Sequence, residues 1–167
     1  MARVYLGLGS NLGDRQEHIQ QALQALQRQG CVLCAVSPLY ETEPWGVTDQ
    51  PRFINAACIV ETNLAPRPLL ILLKDIEREM GRVPTVRYGP RPIDLDILLY
   101  DELRLDTPDL TIPHPGMLNR ASVLVPLADI APDVRHPATG RTIAEHLADL
   151  GPTPDVAPYP PGLPAKS

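Results

Sequence analysis

The sequence predicts an α+β domain in which an antiparallel sheet carries helices on one face. Apolar residues alternate with period two in some segments, as in strands, and recur every three or four residues in others, as in helices. The segments follow the order strand, helix, strand, strand, helix, strand, which is typical of a two-layer α+β core. With 167 residues, 44% of them hydrophobic, we expect one domain over residues 1–150 and a Pro-rich, extended or mobile tail over 151–167.

The individual elements are predicted by periodicity and by residues that begin or end helices. Residues 2–9 alternate as a first strand, and Asp14 can then cap a helix that Gly30 ends. The next elements are a strand at 31–42, a loop at 43–52, a strand at 53–62, a helix from about Pro66 to Gly81, and a strand from Asp94. After residue 101 we expect a short hairpin near 102–112 and helices near 120–130 and 142–150.

Composition disfavours several functional classes. A net charge of −5, with one Phe and one Trp, leaves neither a basic field nor stacking rings for nucleic acid. No apolar run reaches the roughly 18 residues that a membrane span needs. Cys31, Cys34 and Cys58 are expected to be buried and reduced, because residues three apart on a strand face opposite sides and cannot chelate one ion. We therefore expect a cytoplasmic protein without nucleic-acid or membrane partners.

An Asp-x-Asp pair on the last predicted strand indicates a metal site. Asp94 and Asp96 project from the same face of a strand, while Leu95, Ile97 and Leu99 are expected on the other face. Carboxylate oxygens are the ligands that Mg²⁺ prefers, and Mg²⁺ completes its shell with water and substrate phosphates.

A loop rich in Pro and Gly joins three arginines to that strand: Arg82, Arg87 and Arg91. Guanidinium groups bind phosphate oxygens in pairs, so the loop and the strand together indicate a polyphosphate site. The alternative is a solvated hairpin with an ion-pair network.

Other residues carry weaker signals. His114, held between two prolines, could bond a phosphate beside Arg120 or serve as a structural hydrogen-bond partner. Phe53 and Asn55 share a strand face and, with Trp45, could hold a flat heterocycle or simply fill the core. Gly7, Gly9 and Gly13 lack the dinucleotide-binding spacing and form either a turn or a phosphate-covering loop. Three histidines are expected at the surface: His18, His136 and His146.

Four stretches carry a resemblance to a known family: YLGLGSNLGDR (5–15), SPLYETEPWGVTDQPRFINAAC (37–58), GRVPTVRYGPRPIDLDILLYD (81–101) and IPHPGMLNRASVLVPLADIAPD (112–133). Together they resemble the 6-hydroxymethyl-7,8-dihydropterin pyrophosphokinases, folate-pathway enzymes that move a diphosphate from ATP to a pterin alcohol. The resemblance implies a ferredoxin-like core and three mobile loops, near 10–15, 43–52 and 82–92. It also implies ATP and the pterin as small-molecule partners, with two Mg²⁺ ions. We expect a monomer or weak dimer.

The resemblance also implies roles for individual residues. The metal ligands would be Asp94 and Asp96, and the catalytic residues Arg82, Arg91 and Asp96. ATP would contact Lys74, Glu77, Arg82, Arg91, Ile97, Thr111, His114 and Arg120. The pterin would contact Thr42, Pro44, Trp45, Phe53 and Asn55.

Ser122 departs from the family pattern, which commonly has an aromatic residue there on one side of the pterin. Trp45 could substitute for that ring. Two alternatives to the enzyme stay open on the sequence: an inactive nucleotide- or pterin-binding module, and an RNA-binding module, whose sheet-face aromatic and basic residues are largely missing here.

Overall fold

The computed structural model describes residues 1–42, 51–81 and 92–159 and confirms the α+β prediction. The strands are β1 (Ala2–Ser10), β2 (Val32–Val36), β3 (Leu39–Thr42), β4 (Phe53–Thr62), β5 (Asp94–Tyr100), β6 (Leu105–Asp106), β7 (Thr111–Ile112) and β8 (Val156–Tyr159). The helices are α1 (Arg15–Arg28), α2 (Pro66–Glu79), α3 (Ala121–Ile130) and α4 (Ile143–Leu150), with a 3-10 turn at Met117–Asn119. The main sheet has the order β5-β1-β4-β3-β8, and β2 also pairs with β4. All of these pairings are antiparallel.

Helices α1 and α2 cover the first face of the sheet, as the periodicity predicts. Their buried residues pack against alternate residues of β1, β4 and β5 in one core: Ile19, Ala22, Leu26, Leu69, Leu73 and Ile76 among them. The Asp14 carboxylate accepts a hydrogen bond from the backbone N–H of Glu17 and so caps α1. Gly81 follows α2 at φ 90°, a conformation that favours glycine.

The second face carries the C-terminal helices, which enclose the sheet from the other side. Leu124 and Leu127 of α3 and Ile143 of α4 pack with Tyr5 and Ile59 in a second core. The Tyr40 hydroxyl donates a hydrogen bond to Asp129, which ties β3 to α3. Among the described residues, no helix has the length and apolar character needed to cross a membrane.

The predicted strand at 31–42 is two strands, because Ser37 and Pro38 interrupt it. Pro38 has no backbone N–H to donate to a neighbouring strand. The Ser37 hydroxyl accepts a hydrogen bond from the backbone N–H of Ala57 at 2.9 Å. β2 and β3 therefore pair with successive parts of β4.

A bulge in β5 makes the prediction for Leu99 wrong. Tyr5 pairs with Leu99 and Leu6 with Ile97, so Leu98 is an extra residue between them. After this extra residue, the side chains of β5 point to the opposite face of the sheet from the one that simple alternation predicts. Ile97 consequently packs in the first core, whereas Leu98 and Leu99 both pack in the second.

Two further burial predictions are wrong. Cys34 is exposed, because β2 lies at the edge of the sheet, whereas Cys31 and Cys58 are buried as expected. His136 is buried rather than at the surface. The turn that follows α3 folds back on itself: the backbone N–H of His136 donates to the Arg141 carbonyl, and its ring lies against that of His146.

Part of the Pro-rich C-terminal segment is a strand of the sheet. Val156–Tyr159 is extended, as the composition suggests, but it pairs with Leu39–Thr42 instead of being free. Residues 160–167 lie outside the described range. The pairing places Tyr159 beside the first core.

Candidate active site

The candidate active site is a cleft on the second face of the sheet, where β1, β4 and β5 lie side by side. Gly9 pairs with Asn55 on β4 and with Asp94 on β5, and Gly7 pairs with Asp96. Paired residues project from the same face of a sheet. The side chains of β4 and β5 therefore flank a cleft floor formed by Gly7 and Gly9 of β1, which have no side chains. Phe53 adds a ring to the β4 side.

Gly9 of β1 is required by this close packing. A Cβ atom at Gly9 would lie 2.9 Å from the Asn55 side-chain nitrogen and 3.4 Å from a Phe53 ring carbon. The sequence suggested a turn or phosphate loop containing Gly7 and Gly9, but both belong to β1 and form the cleft floor. Two glycines two residues apart in a strand are the signal that could have revealed this floor.

Asp94 and Asp96 both face the cleft, as the strand alternation predicts. The Asp96 side chain keeps 39% of its surface open to the cleft, and protein surrounds the rest. Burial, followed by the neighbouring charge of Asp94, raises the pKa of Asp96 to about 7, although Lys74 and Arg120 oppose the shift.

This carboxylate pair fits a divalent cation. Two hard oxygen ligands are held together where burial and the neighbouring Asp94 disfavour the negative charge of Asp96, and a cation would offset that charge. Among the described residues, no cluster of three or more acidic, His or Cys side chains offers a fuller ligand set. The remaining ligands would therefore be water or substrate oxygens.

Glu77 holds the strand that carries the pair. Its side chain is 3% exposed, and one carboxylate oxygen accepts a hydrogen bond from the backbone N–H of Leu95 at 2.8 Å. The other oxygen lies 3.4 Å from the Lys74 ammonium. Leu95 stands between Asp94 and Asp96, so this contact fixes the backbone from which both project. Glu77 lies behind the site rather than on its surface.

Replacing Glu77 with leucine is expected to lower the free energy of unfolding by about 1–3 kcal/mol, because the buried N–H of Leu95 loses its acceptor. Glu77→Gln keeps an acceptor oxygen and should lose less. Urea unfolding of both variants measures the difference, with the exposed Glu79→Gln as the control on the same helix. Equal stability of the Leu and Gln variants would contradict the role given to this hydrogen bond.

His114 faces Asp96 with a defined ring orientation. Its Nδ1 accepts a hydrogen bond from the backbone N–H of Gly116 at 3.2 Å, and its Nε2 lies 4.0 Å from an Asp96 oxygen. Burial and the positive charge of Arg120 lower the pKa of His114, which favours the neutral ring. With Nδ1 accepting, the proton of that neutral ring is on Nε2 and points toward the carboxylates.

A second cavity adjoins the first at Asp96 and His114, which line both. It brings together three more of the residues that the family resemblance assigned to ATP: Lys74, Ile97 and Thr111. Arg120 lines the first cavity. Sequence reasoning missed Leu70 and Leu110, apolar residues of the second cavity that no motif distinguishes from core residues.

The residues assigned to the pterin converge only in part within the described range. Thr42, Phe53 and Asn55 line the first cavity, and the Thr42 hydroxyl donates a hydrogen bond to the Asn55 side-chain oxygen. Ser122 and Val123 also line it. The other assigned residues lie outside the described range: Pro44, Trp45, Arg82 and Arg91, and with them Arg87.

Comparison with known proteins gives a consistent family. The family model described as 7,8-dihydro-6-hydroxymethylpterin-pyrophosphokinase (HPPK) matches residues 5–132. A Pseudomonas aeruginosa protein named 2-amino-4-hydroxy-6-hydroxymethyldihydropteridine pyrophosphokinase is 54% identical over 147 residues, which are 87% of this chain and 90% of that protein. A Bacillus subtilis protein of the same name is 46% identical over 137 residues, 81% of this chain and 82% of its own length.

A solved structure supports the fold. The crystal structure of an HPPK-DHPS in complex with substrates aligns with 89% of this chain at a TM-score of 0.73 and 16% identity. The chain spans 43% of that longer protein. At this identity the likeness concerns the fold alone, and it confirms the ferredoxin-like core. With the family model matched over most of its length, the chain belongs to the 7,8-dihydro-6-hydroxymethylpterin-pyrophosphokinase family.

Proposed function

We propose that the chain transfers a diphosphate from ATP to the hydroxymethyl oxygen of 6-hydroxymethyl-7,8-dihydropterin, giving AMP and the pterin diphosphate, in a Mg²⁺-dependent reaction. The observation that carries this proposal is the position of the Asp pair. Asp94 and Asp96 line a cavity that contains the Phe53 ring, and Asp96 also lines a second cavity that contains Lys74, Ile97 and Thr111. Two substrates bound in these cavities would meet at the carboxylates.

The first cavity has the groups that a pterin needs. The Phe53 ring offers a face for stacking, and the Asn55 amide offers hydrogen bonds to the heterocycle edge. Because the Asn55 oxygen accepts from Thr42, its NH₂ group is oriented with respect to the cleft. Ser122 supplies no ring on its side of the cavity, so Phe53 is the stacking residue among those described.

The reaction follows from the arrangement of the substrates. The pterin hydroxymethyl oxygen attacks the β-phosphorus in line and gives up its proton to solvent water, while the bond from that phosphorus to the α,β-bridging oxygen breaks and AMP leaves with that oxygen. Asp94 and Asp96 would hold two Mg²⁺ ions, which offset charge on the phosphate oxygens when bound. The Nε2–H of His114 donates a hydrogen bond to a phosphate oxygen, and Arg120 adds positive charge beside it. Arg82 and Arg91 are assigned to the phosphates by sequence.

The proposed partners are therefore two small molecules, ATP and the pterin, and the proposed location is the cytoplasm. We also propose that the protein acts as a monomer or weak dimer. None of these steps needs a nucleic acid, a membrane or a covalent enzyme intermediate.

Phosphorus-31 NMR of the protein with ATP, Mg²⁺ and 6-hydroxymethyl-7,8-dihydropterin tests the proposal. AMP and a pterin diphosphate should appear in the complete mixture, and neither should appear without the pterin or with excess EDTA. ADP in place of AMP would indicate transfer of the γ-phosphoryl group and would contradict the proposal. Pterin binding without turnover would favour the inactive binding module.

A further inference from the structure

A polar cluster on the first face of the sheet connects the turn between β1 and α1 to the adjacent ends of β3 and β4. Arg15 is the first residue of α1, and Asn11 lies in the preceding turn. The Arg15 guanidinium donates to a Glu41 carboxylate oxygen and to the backbone carbonyl of Arg52, both at 2.9 Å. The Asn11 side-chain nitrogen donates to the backbone carbonyl of Pro51 at 3.2 Å.

These contacts act on the backbone next to the cleft. Glu41 immediately precedes Thr42, and Arg52 immediately precedes Phe53. Thr42 and Phe53 pair across β3 and β4 and both line the first cavity. One guanidinium therefore fixes the ends of two strands from the side of the sheet opposite the cleft.

The ion pair between Arg15 and Glu41 is partly shielded from solvent. The Arg15 and Glu41 side chains are 22% and 26% exposed, so water and salt screen their ion pair less than a pair at the open surface. Other ion pairs in the described part of the chain are more exposed, among them those of Arg3, Arg67, Arg78 and Arg141. Asn11 is fully buried. The Tyr159 ring of β8 lies over the Arg15 guanidinium, with the ring centroid 5.3 Å from its central carbon, as in a cation–π contact.

From this geometry we propose that Arg15 is a positioning residue for the pterin-binding strands, and that Tyr159 of the C-terminal strand holds Arg15 in place. The inference rests on the proposed function, because it takes the first cavity as the pterin site. It also gives β8 a specific role. The Tyr159 ring on this strand covers the Arg15 guanidinium and so keeps it in its hydrogen bonds with Glu41 and Arg52. The second cavity, which lies beyond β1 and contains none of these contacts, is independent of the cluster.

The test compares substrate affinities in Arg15→Met and Tyr159→Leu. Arg15→Met is expected to raise the pterin KM and the pterin Kd, measured by calorimetry with the pterin alone, by roughly tenfold, since misplaced binding groups lose productive contacts. The ATP KM should stay within about twofold of wild type, because none of the described residues assigned to ATP belongs to β3 or β4, the strands whose ends Arg15 contacts. Tyr159→Leu should raise the pterin Kd by roughly threefold, and Tyr159→Phe, which keeps the ring face, should not.

The double variant tests whether Tyr159 acts through Arg15. Tyr159→Leu should add nothing to the pterin Kd once Arg15 is Met, whereas independent roles would multiply the two effects. Arg3→Met is the matched control, because it removes the exposed ion pair with Glu61 at the other end of the β1–β4 pair. If Arg15→Met does not fold, the Leu and Phe variants of Tyr159 carry the test.

Two results would overturn the inference. One is a pterin Kd within about twofold of wild type in Arg15→Met. The other is an equal rise in the pterin KM and the ATP KM, together with a lower melting temperature. A purely structural role of Arg15 would give that result. Failure of the proposed function would look different, because the wild-type protein itself would then form no AMP.

Discussion

Asp96→Asn is expected to lower the rate of AMP formation by roughly a hundred- to a thousandfold, the range typical of losing a group that stabilises transition-state charge. The substitution keeps the shape of the side chain and removes the charge that we propose binds Mg²⁺, at a residue that lines both cavities. The pterin Kd should change little, because Phe53, Asn55 and Thr42 are untouched. Steady-state AMP release and calorimetry with the pterin alone measure the two quantities.

The same variant should not be less stable than wild type without a cation. Burial and Asp94 raise the pKa of Asp96, so its charged form is disfavoured in the folded protein and a neutral amide relieves that cost. The exposed Asp133→Asn serves as the control for removing one negative charge. Near-normal AMP release by Asp96→Asn would contradict the assignment of the metal and phosphate site to this carboxylate.

Gly9→Ala is expected to weaken pterin binding by roughly ten- to a hundredfold, because displacement of binding groups by fractions of an ångström is costly. A methyl group at this position would meet the Asn55 side-chain nitrogen at 2.9 Å and the Phe53 ring at 3.4 Å. The Asn55 side chain would have to move away from the cleft floor, and the Phe53 ring would lie in close contact with the added methyl group. The pterin Kd, measured in the absence of ATP, reports this directly.

Gly7→Ala gives the matched comparison on the same strand. Its methyl group would meet Leu98 at 3.6 Å, an ordinary van der Waals contact. We expect a clearly smaller effect on the pterin Kd than from Gly9→Ala. If Gly9→Ala binds the pterin as well as Gly7→Ala does, then Asn55 and Phe53 do not form the pterin site.

Local patterns predicted the order of the elements because each depends on neighbours in sequence. Asp14 and Gly30 mark the ends of α1 with a cap and a positive φ, and both are confirmed. The bulge at Leu98 could not be predicted, since it depends on register between strands distant in the sequence. The same holds for Tyr159, whose strand is defined by its partner β3 rather than by its own apolar pattern.

The site was predictable where a motif fixes geometry. Asp94 and Asp96 share the cleft because strand alternation requires it. Arg15 gave no such signal, because its partners Glu41 and Arg52 are distant in sequence. Glu77 was assigned to ATP by resemblance, and the hydrogen bond to Leu95 gives it a structural role that spacing alone does not reveal.

Transfer of the diphosphate to the pterin oxygen is tested most directly with 6-hydroxymethyl-7,8-dihydropterin that carries ¹⁸O in its hydroxymethyl group. If that oxygen attacks the β-phosphorus, the label stays in the product, and the ³¹P signal of the pterin-linked phosphorus shows the isotope shift while AMP is unlabelled. Loss of the label to water would mean that the carbon–oxygen bond breaks instead. That result, or a labelled pterin adenylate formed with free diphosphate, would contradict attack on the β-phosphorus at the Asp94 and Asp96 site.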